Sequence, residues 1–189
     1  MDIQLKHLKF FRQLSRGTVC FEANVWVNGR KIGTAMNSGD GGASRFDLDY
    51  PPSDTIKELY RDAKDYCEQL PDRIIKVPAQ FKVPGNEIKA KMDFIEYIDM
   101  LVDEAWEKEE ENRINRFVSK AQVGSILFGD VDGSIFEIKL GTQKHRIKIE
   151  DLLNSDKGKE ALKNKVSEVK SKLKQGQKIL NTNIPTDLL

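Results

Sequence analysis

Residues Thr18 to Phe46 read T-V-C-F-E-A-N-V-W-V-N-G-R-K-I-G-T-A-M-N-S-G-D-G-G-A-S-R-F, and their first half decides the fold class. Val19, Phe21, Ala23, Val25 and Val27 alternate with Thr18, Cys20, Glu22, Asn24 and Trp26, the period-two pattern of a half-buried strand. Asn28-Gly29 follows at once, the dipeptide that a tight type I′ turn prefers because both central residues need φ > 0. The chain returns through Lys31, Ile32, Thr34 and Met36 and then enters Asn37–Gly42, which holds three glycines in six residues. The stretch is a β-hairpin with a glycine-rich loop at its far end.

Working outward, Ile3, Leu5, His7, Lys9 and Phe11 alternate with Gln4, Lys6, Leu8, Phe10 and Arg12. A short helix would also gather Leu5, Leu8, Phe11 and Arg12 on one face, and periodicity alone does not separate the two. The Ser15-Arg16-Gly17 turn favours a strand and a three-stranded meander, with Phe46, Leu48 and Tyr50 supplying a fourth strand. Past Pro51-Pro52, Thr55 and Glu58 read as a capping box, and Ile56, Leu59, Tyr60, Ala63, Tyr66, Cys67 and Leu70 trace a helix stopped by Pro71. Pro71, Pro78, Pro84 and Gly85 punctuate residues 71–86, a composition suited to an edge strand or an extended connection.

From Asn86 to Ala121 no Pro or Gly occurs, and the spacing predicts one long helix of about 50 Å at 1.5 Å per residue. Its apolar face runs from Ile88 and Met92 to Ala105 and Trp106, then resumes at Ile114, Phe117 and Val118 beyond the charged turn Lys108–Asn112. A second hairpin follows, with Ile126 and Phe128 before the turn Gly129–Gly133 and Ile135, Phe136, Ile138 and Leu140 after it. Arg146–Ile149 reads as a third short strand near the second hairpin, and Glu150–Leu153 as a helical turn. The last helix, Ser155–Gln175, carries Leu162, Val166, Val169 and Leu173 at the 4-3-4 spacing of a narrow seam. The sum is α+β: antiparallel hairpins at the N-terminus and near residues 123–149, a short helix, one long acidic helix and a basic C-terminal helix. The expected organisation is a single domain over 1–189, divisible into sub-units 1–85 and 86–189.

Of the 189 residues 39% are hydrophobic and 32% charged, the balance of a folded, soluble protein. No apolar run approaches the roughly 20 residues of a membrane span, and Met1–Lys9 lacks the apolar core of a signal peptide. Cys20 and Cys67 are then expected to be reduced and buried in a cytoplasm. The net charge of +1 hides a segregation: residues 1–53 carry +2, 54–112 carry −7 and 113–189 carry +6. Such asymmetry marks either a macromolecular contact surface or two parts of one protein attracting each other.

Consecutive glycine amides can point into one concavity and cradle an anion, so Asn37, Ser38, Gly39, Gly41, Gly42 and Arg45 are candidate anion- or nucleotide-binding residues. The loop lacks both the P-loop and the dinucleotide-turn spacings, and the plainer account is a strand connection whose glycines meet φ > 0 demands. Asp130 and Asp132 in D-V-D-G lack the third oxygen ligand and the glutamate of a calcium loop. His7, His145 and the two cysteines are scattered singly, so neither a metal site nor a cofactor is expected. No Gly-x-Ser-x-Gly elbow supports a nucleophile, and no catalytic residue is assigned. Asp99, Asp103, Glu107 and Glu110 fall on one face of the long helix, either as solvated surface or as an acidic row for a basic partner. On the last helix Lys163, Lys170 and Lys174 stand among lysines outside the seam, suited to solvent, to an acidic partner or to phosphate backbones. No aromatic residue lies there to stack on bases.

F-E-A-N-V-W-V-N-G-R-K-I-G-T-A-M-N-S-G-D-G-G resembles a strand–N/D-G–strand–N-x-G-x-G-G signature of small uncharacterised proteins of bacteria and their phages. The resemblance covers about 25 residues, implies an accessory cytoplasmic protein of a mobile element or phage (in the host cytoplasm if phage-encoded), and brings no activity. The sequence reading is therefore a non-enzymatic accessory protein that binds a protein partner through charged helical faces. Its alternatives are a sequence-nonspecific nucleic-acid binder using the C-terminal lysines, and a nucleotide or small-molecule site, enzymatic or not, at the loop 37–44. A membrane is not among its partners.

Overall fold

The structure, a computed structural model, describes residues 1–76, 84–129, 134–142 and 145–189. Val77, Phe81, Val83, the turn 130–133 with Asp130 and Asp132, and residues 143–144 lie outside the described residues. The chain forms two compact units, Met1–Lys108 and Glu109–Leu189.

In the first unit four strands run in sequence order as an antiparallel sheet: β1 (Ile3–Phe10), β2 (Phe21–Val27), β3 (Arg30–Asn37) and β4 (Arg45–Leu48). Asn28 and Gly29 join β2 and β3 at φ 48° and 77°, the left-handed pair that a type I′ turn demands. Phe21, Ala23, Val25 and Val27 are buried as the alternation requires. The strand reading of residues 3–14 holds for Ile3–Phe10 only, since Arg12–Leu14 turn into a short 3-10 helix, and within the strand the alternation shifts. His7 sits at φ 55° in a register shift between Lys6 and Lys9, and this bulge resets the alternation. Leu8 and Phe10, not Lys9 and Phe11, therefore reach the core, while Phe11 is left 40% exposed.

Helix α1 (Asp54–Glu68) starts two residues before the expected box: Ser53 Oγ, not Thr55, accepts from the Ile56 amide at 3.3 Å. The long helix also needs correction. Residues 87–90 are not helical but form strand β6 (Glu87–Ala90), paired antiparallel with β5 (Arg73–Lys76). Helix α2 spans Phe94–Ala121, and the Asp93 carboxylate accepts from the Glu96 amide at 2.9 Å, satisfying an amide that the first turn leaves open. Three rings in mutual contact tie the layers together: Phe46 of β4, Tyr60 of α1 and Phe94 of α2, with centroids 5.1–5.2 Å apart. The Phe46 ring lies over Gly33, where any Cβ would collide with it and with the Asp47 carbonyl. Ala63, Cys67, Ile98 and Val102 complete this core.

In the second unit β7 (Ser125–Gly129) pairs antiparallel with β8 (Ile135–Lys139) on one side and β9 (Lys178–Ile179) on the other. The apolar tail docks through β9, and Asn181 anchors it, accepting from Leu127 N at 2.6 Å and donating to the Ser125 carbonyl at 2.9 Å. Residues 146–149 do not build the expected strand. Only a single bridge, Gly141 to Arg146, forms there, and Ile149 opens α3 (Ile149–Leu153). Helix α4 (Asp156–Lys172) buries the seam Leu162, Val166 and Val169 against Ile126, Leu140, Ile149 and Ile184.

Each unit has its own core, and truncation of a fully buried side chain measures it. Ile98→Ala is expected to cost about 2–5 kcal/mol, read as a lowered urea midpoint, whereas Glu104→Ala on the solvent side of α2 should stay within about 0.5 kcal/mol.

Candidate functional site

Asn37 ends β3 on the core-facing side and is buried. A buried amide must be hydrogen-bonded on both its oxygen and its nitrogen, and Asn37 meets that demand wholly within the protein. Its Oδ1 accepts from the Thr18 hydroxyl and from the Gly39 amide, each at 2.8 Å. Its Nδ2 donates to the Gly42 carbonyl and to Ser44 Oγ, each at 3.0 Å. The Gly39 carbonyl in turn accepts from the amides of Arg16 and Gly17, both at 2.8 Å. Gly39 stands at φ 84°, and a Cβ there would run into the Leu14 carbonyl and Cys20. Glycine is thus required twice over, by conformation and by close approach.

The amides of Gly39 and Gly41 are both engaged internally, the second donating to Thr18 Oγ1 at 3.3 Å. The candidate loop residues divide between two clefts. Asn37, Ser38 and Arg45 border one of about 460 Å³ together with Phe11, Leu14 and Cys20. Arg45 points away from the core there, 3.6 Å from the Asp47 carboxylate and 3.1 Å from Met36 Sδ. Asn37, Gly42 and Ser44 line a second cleft of about 330 Å³, whose other wall is the acidic face of α2.

That second cleft joins two residue sets that the sequence kept apart. Asp99 and Asp103 come from α2 with Glu96, and Arg73 reaches in from β5. The Arg73 guanidinium donates to Asp103 Oδ2 at 2.8 Å and to Glu96 Oε1 at 3.1 Å. Burial raises the pKa of the Asp99 carboxyl above the ordinary carboxylate range. The hydroxyl of Ser44 and the charge of Arg73 pull it back, while Glu96 and Asp103 push it further up. Three carboxylates against one guanidinium make this cleft complementary to hydrogen-bond donors and cations. Among the described residues no group of three His, Cys, Asp or Glu is placed to hold a metal ion. Burial, helped by Asp93, pushes the Cys67 thiol up to about 11, so it stays protonated.

Of the remaining acidic candidates, Glu110 accepts from Arg113 at 2.9 Å, and Glu107 is exposed. On α4, Lys163 and Lys170 are exposed, and Lys174 lies beyond the helix end at Lys172. Their neighbours Lys165 and Lys172 are consumed by Glu168, at 2.7 and 2.6 Å, holding its carboxyl down near 2. Arg73 and Thr18 are the residues that sequence reasoning missed as site members, and Ser44 fell inside the candidate loop 37–44 without being singled out. No sequence signal singled out Arg73: in R-I-I-K each face carries one charge and one isoleucine, and only the fold turns Arg73 and Ile75 toward the cleft.

Comparison with protein-family models, curated proteins and solved structures finds no significant match.

Asn37→Ala leaves the Thr18 hydroxyl, the Gly39 amide and Ser44 without their partner and is expected to destabilise by about 2–4 kcal/mol in chemical denaturation. Asp99→Asn should act in the opposite sense. A carboxyl whose folded pKa is raised loses stability as pH rises through that value. The variant should therefore unfold at a higher temperature than wild type at pH 7, with the gain vanishing as pH falls below the unfolded carboxylate pKa. An unchanged gain at all pH would show that the charge of Asp99 is not its source.

Proposed function

We propose that the protein is a non-enzymatic binding protein that docks a basic surface of another macromolecule, a protein, on the acidic face of the Met1–Lys108 unit. The observation that carries the reading is the state of the carboxylates on α2. Asp103 and Glu96 have Arg73 as their cation, whereas Glu104 and Glu107, one helical turn apart, are exposed and have no cationic partner among the described residues. Like charges at that spacing repel by a few tenths of a kcal/mol. A cationic partner reverses the sign of that term and gains long-range attraction during encounter. The adjoining cleft of Asp99, Asp103 and Ser44 offers acceptors to the same kind of partner. An accessory role in a bacterial or phage-infected cytoplasm is what the strand–turn–strand signature implies. No helix among the described residues is long and apolar enough to cross a membrane.

The test is capture from nuclease-treated bacterial lysate by wild type and by the double variant Glu104→Lys, Glu107→Lys. A partner that binds wild type and loses at least about tenfold in affinity with the variant, more steeply at low salt, supports the reading. Retention of the same partner by the variant overturns it.

A further inference from the structure

The Glu109–Leu189 unit holds a cleft of its own, with the opposite charge. The Leu140 amide donates to the Gly124 carbonyl at 2.9 Å, and the Ile149 amide to the Val123 carbonyl at 2.9 Å. The bridge from Gly141 to Arg146 and the Ile147 amide donating to Leu140 O at 3.2 Å then lay residues 145–148 beside the start of β7. Together with the last turns of α2 and the outward side of β8, this segment encloses about 460 Å³.

The floor is apolar and open to solvent: Phe117 is 45% exposed, Val123 46% and Ile147 38%. Around it stand four cations from three parts of the unit, Lys120 on α2, Lys139 on β8, and Arg146 and Lys148 on the connecting segment. None of the four has a carboxylate partner among the described residues. The one carboxylate of the cleft, Glu137, is held by the Ser125 hydroxyl at 2.7 Å. Arg116, one turn before Lys120 on α2, is exposed and extends the basic track past Phe117.

Unpaired cations around an apolar floor describe a ligand with several separated negative charges and a flat apolar part. A free inorganic anion would leave the floor wet, and a duplex keeps its base faces stacked out of reach. We propose that this cleft binds a single strand of nucleic acid, with phosphates on Lys120, Lys139, Arg146 and Lys148 and an unstacked base against Phe117. The site is distinct from α4, which has lysines but no aromatic ring. It does not depend on the acidic surface of the other unit, so each reading can fail alone.

Fluorescence anisotropy with a labelled single-stranded 12-mer and the matching duplex tests the inference on the full chain. Single-strand binding is expected to be the tighter, with a slope of log K against log salt of about −3 for four phosphates. Phe117→Ala should weaken it roughly tenfold, and Lys120→Glu with Arg146→Glu should abolish it, both variants keeping the wild-type circular dichroism spectrum. Lys163→Glu with Lys170→Glu should leave it unchanged. Equal affinity for the duplex with no effect of Phe117→Ala overturns the proposal, as does binding lost through the α4 variant instead. So does displacement of the strand by a glutamate- and leucine-rich peptide at lower concentration than unlabelled strand, or by a mononucleotide as effectively as by the oligonucleotide.

Discussion

The first unit depends on a buried amide that has nowhere outside the protein to turn. Asn37 reaches the end of β3 on the core side, largely buried, and its four hydrogen bonds go to Thr18, Gly39, Gly42 and Ser44. Each partner belongs to a segment that would otherwise be an independent loop. The amide therefore fixes the path of residues 38–44 and clamps it to the connection between β1 and β2. Ser44, positioned by that donation, lines the same cleft as Asp99 of α2 and lowers its carboxyl pKa. One side chain thus governs the wall shared by two clefts and the environment of the carboxylate facing it.

Magnitudes separate what holds this unit together from what makes it one structure. A dozen buried apolar side chains gather in its core, and the eight that are Val, Ile or Phe are each worth about 1.5–3 kcal/mol on burial, against about 1 kcal/mol net for each hydrogen bond. Burial supplies the stability. The Asn37 network discriminates, because any alternative loop path strands polar groups at the full cost of desolvation. The ring cluster of Phe46, Tyr60 and Phe94 has the same selective character: Phe46 can lie flat only over Gly33, so the register of β3 and β4 and the placement of two helices are fixed together.

Much of this was legible because it is local. The β2–β3 hairpin needs only its alternation and Asn28-Gly29, and the α4 seam needs only its 4-3-4 spacing. What escaped is what tertiary contacts decide. The bulge at His7 leaves no mark in a sequence that alternates plausibly in either phase. The strand at 87–90 competes with a helical reading that has no breaker until Asp93 caps α2, and it wins because Arg73–Lys76 offers a partner 14 residues upstream. The pairing of Lys178–Ile179 with β7 lies some 50 residues away from its partner, beyond any period. For the acidic cluster the chemistry was visible but the assembly was not: Asp99 and Asp103 could be placed on one face, yet Arg73 and Ser44 reach them only through the fold.

Charge shows the same limit in sharper form. Counting lysines singled out α4, but Glu168 pairs with both Lys165 and Lys172 there, and the seam leaves the rest of that face without an apolar surface. Lys120, Lys139, Arg146 and Lys148 are scattered over 29 positions of sequence and look like ordinary surface residues one at a time. Folding collects them around Phe117 and, among the described residues, gives them no carboxylate partner. Because exposed pairs contribute little while unpaired like charges held around an apolar floor create a field that only an anion relieves, the concentration of uncompensated charge, rather than its count, is what marks a surface built to meet something else.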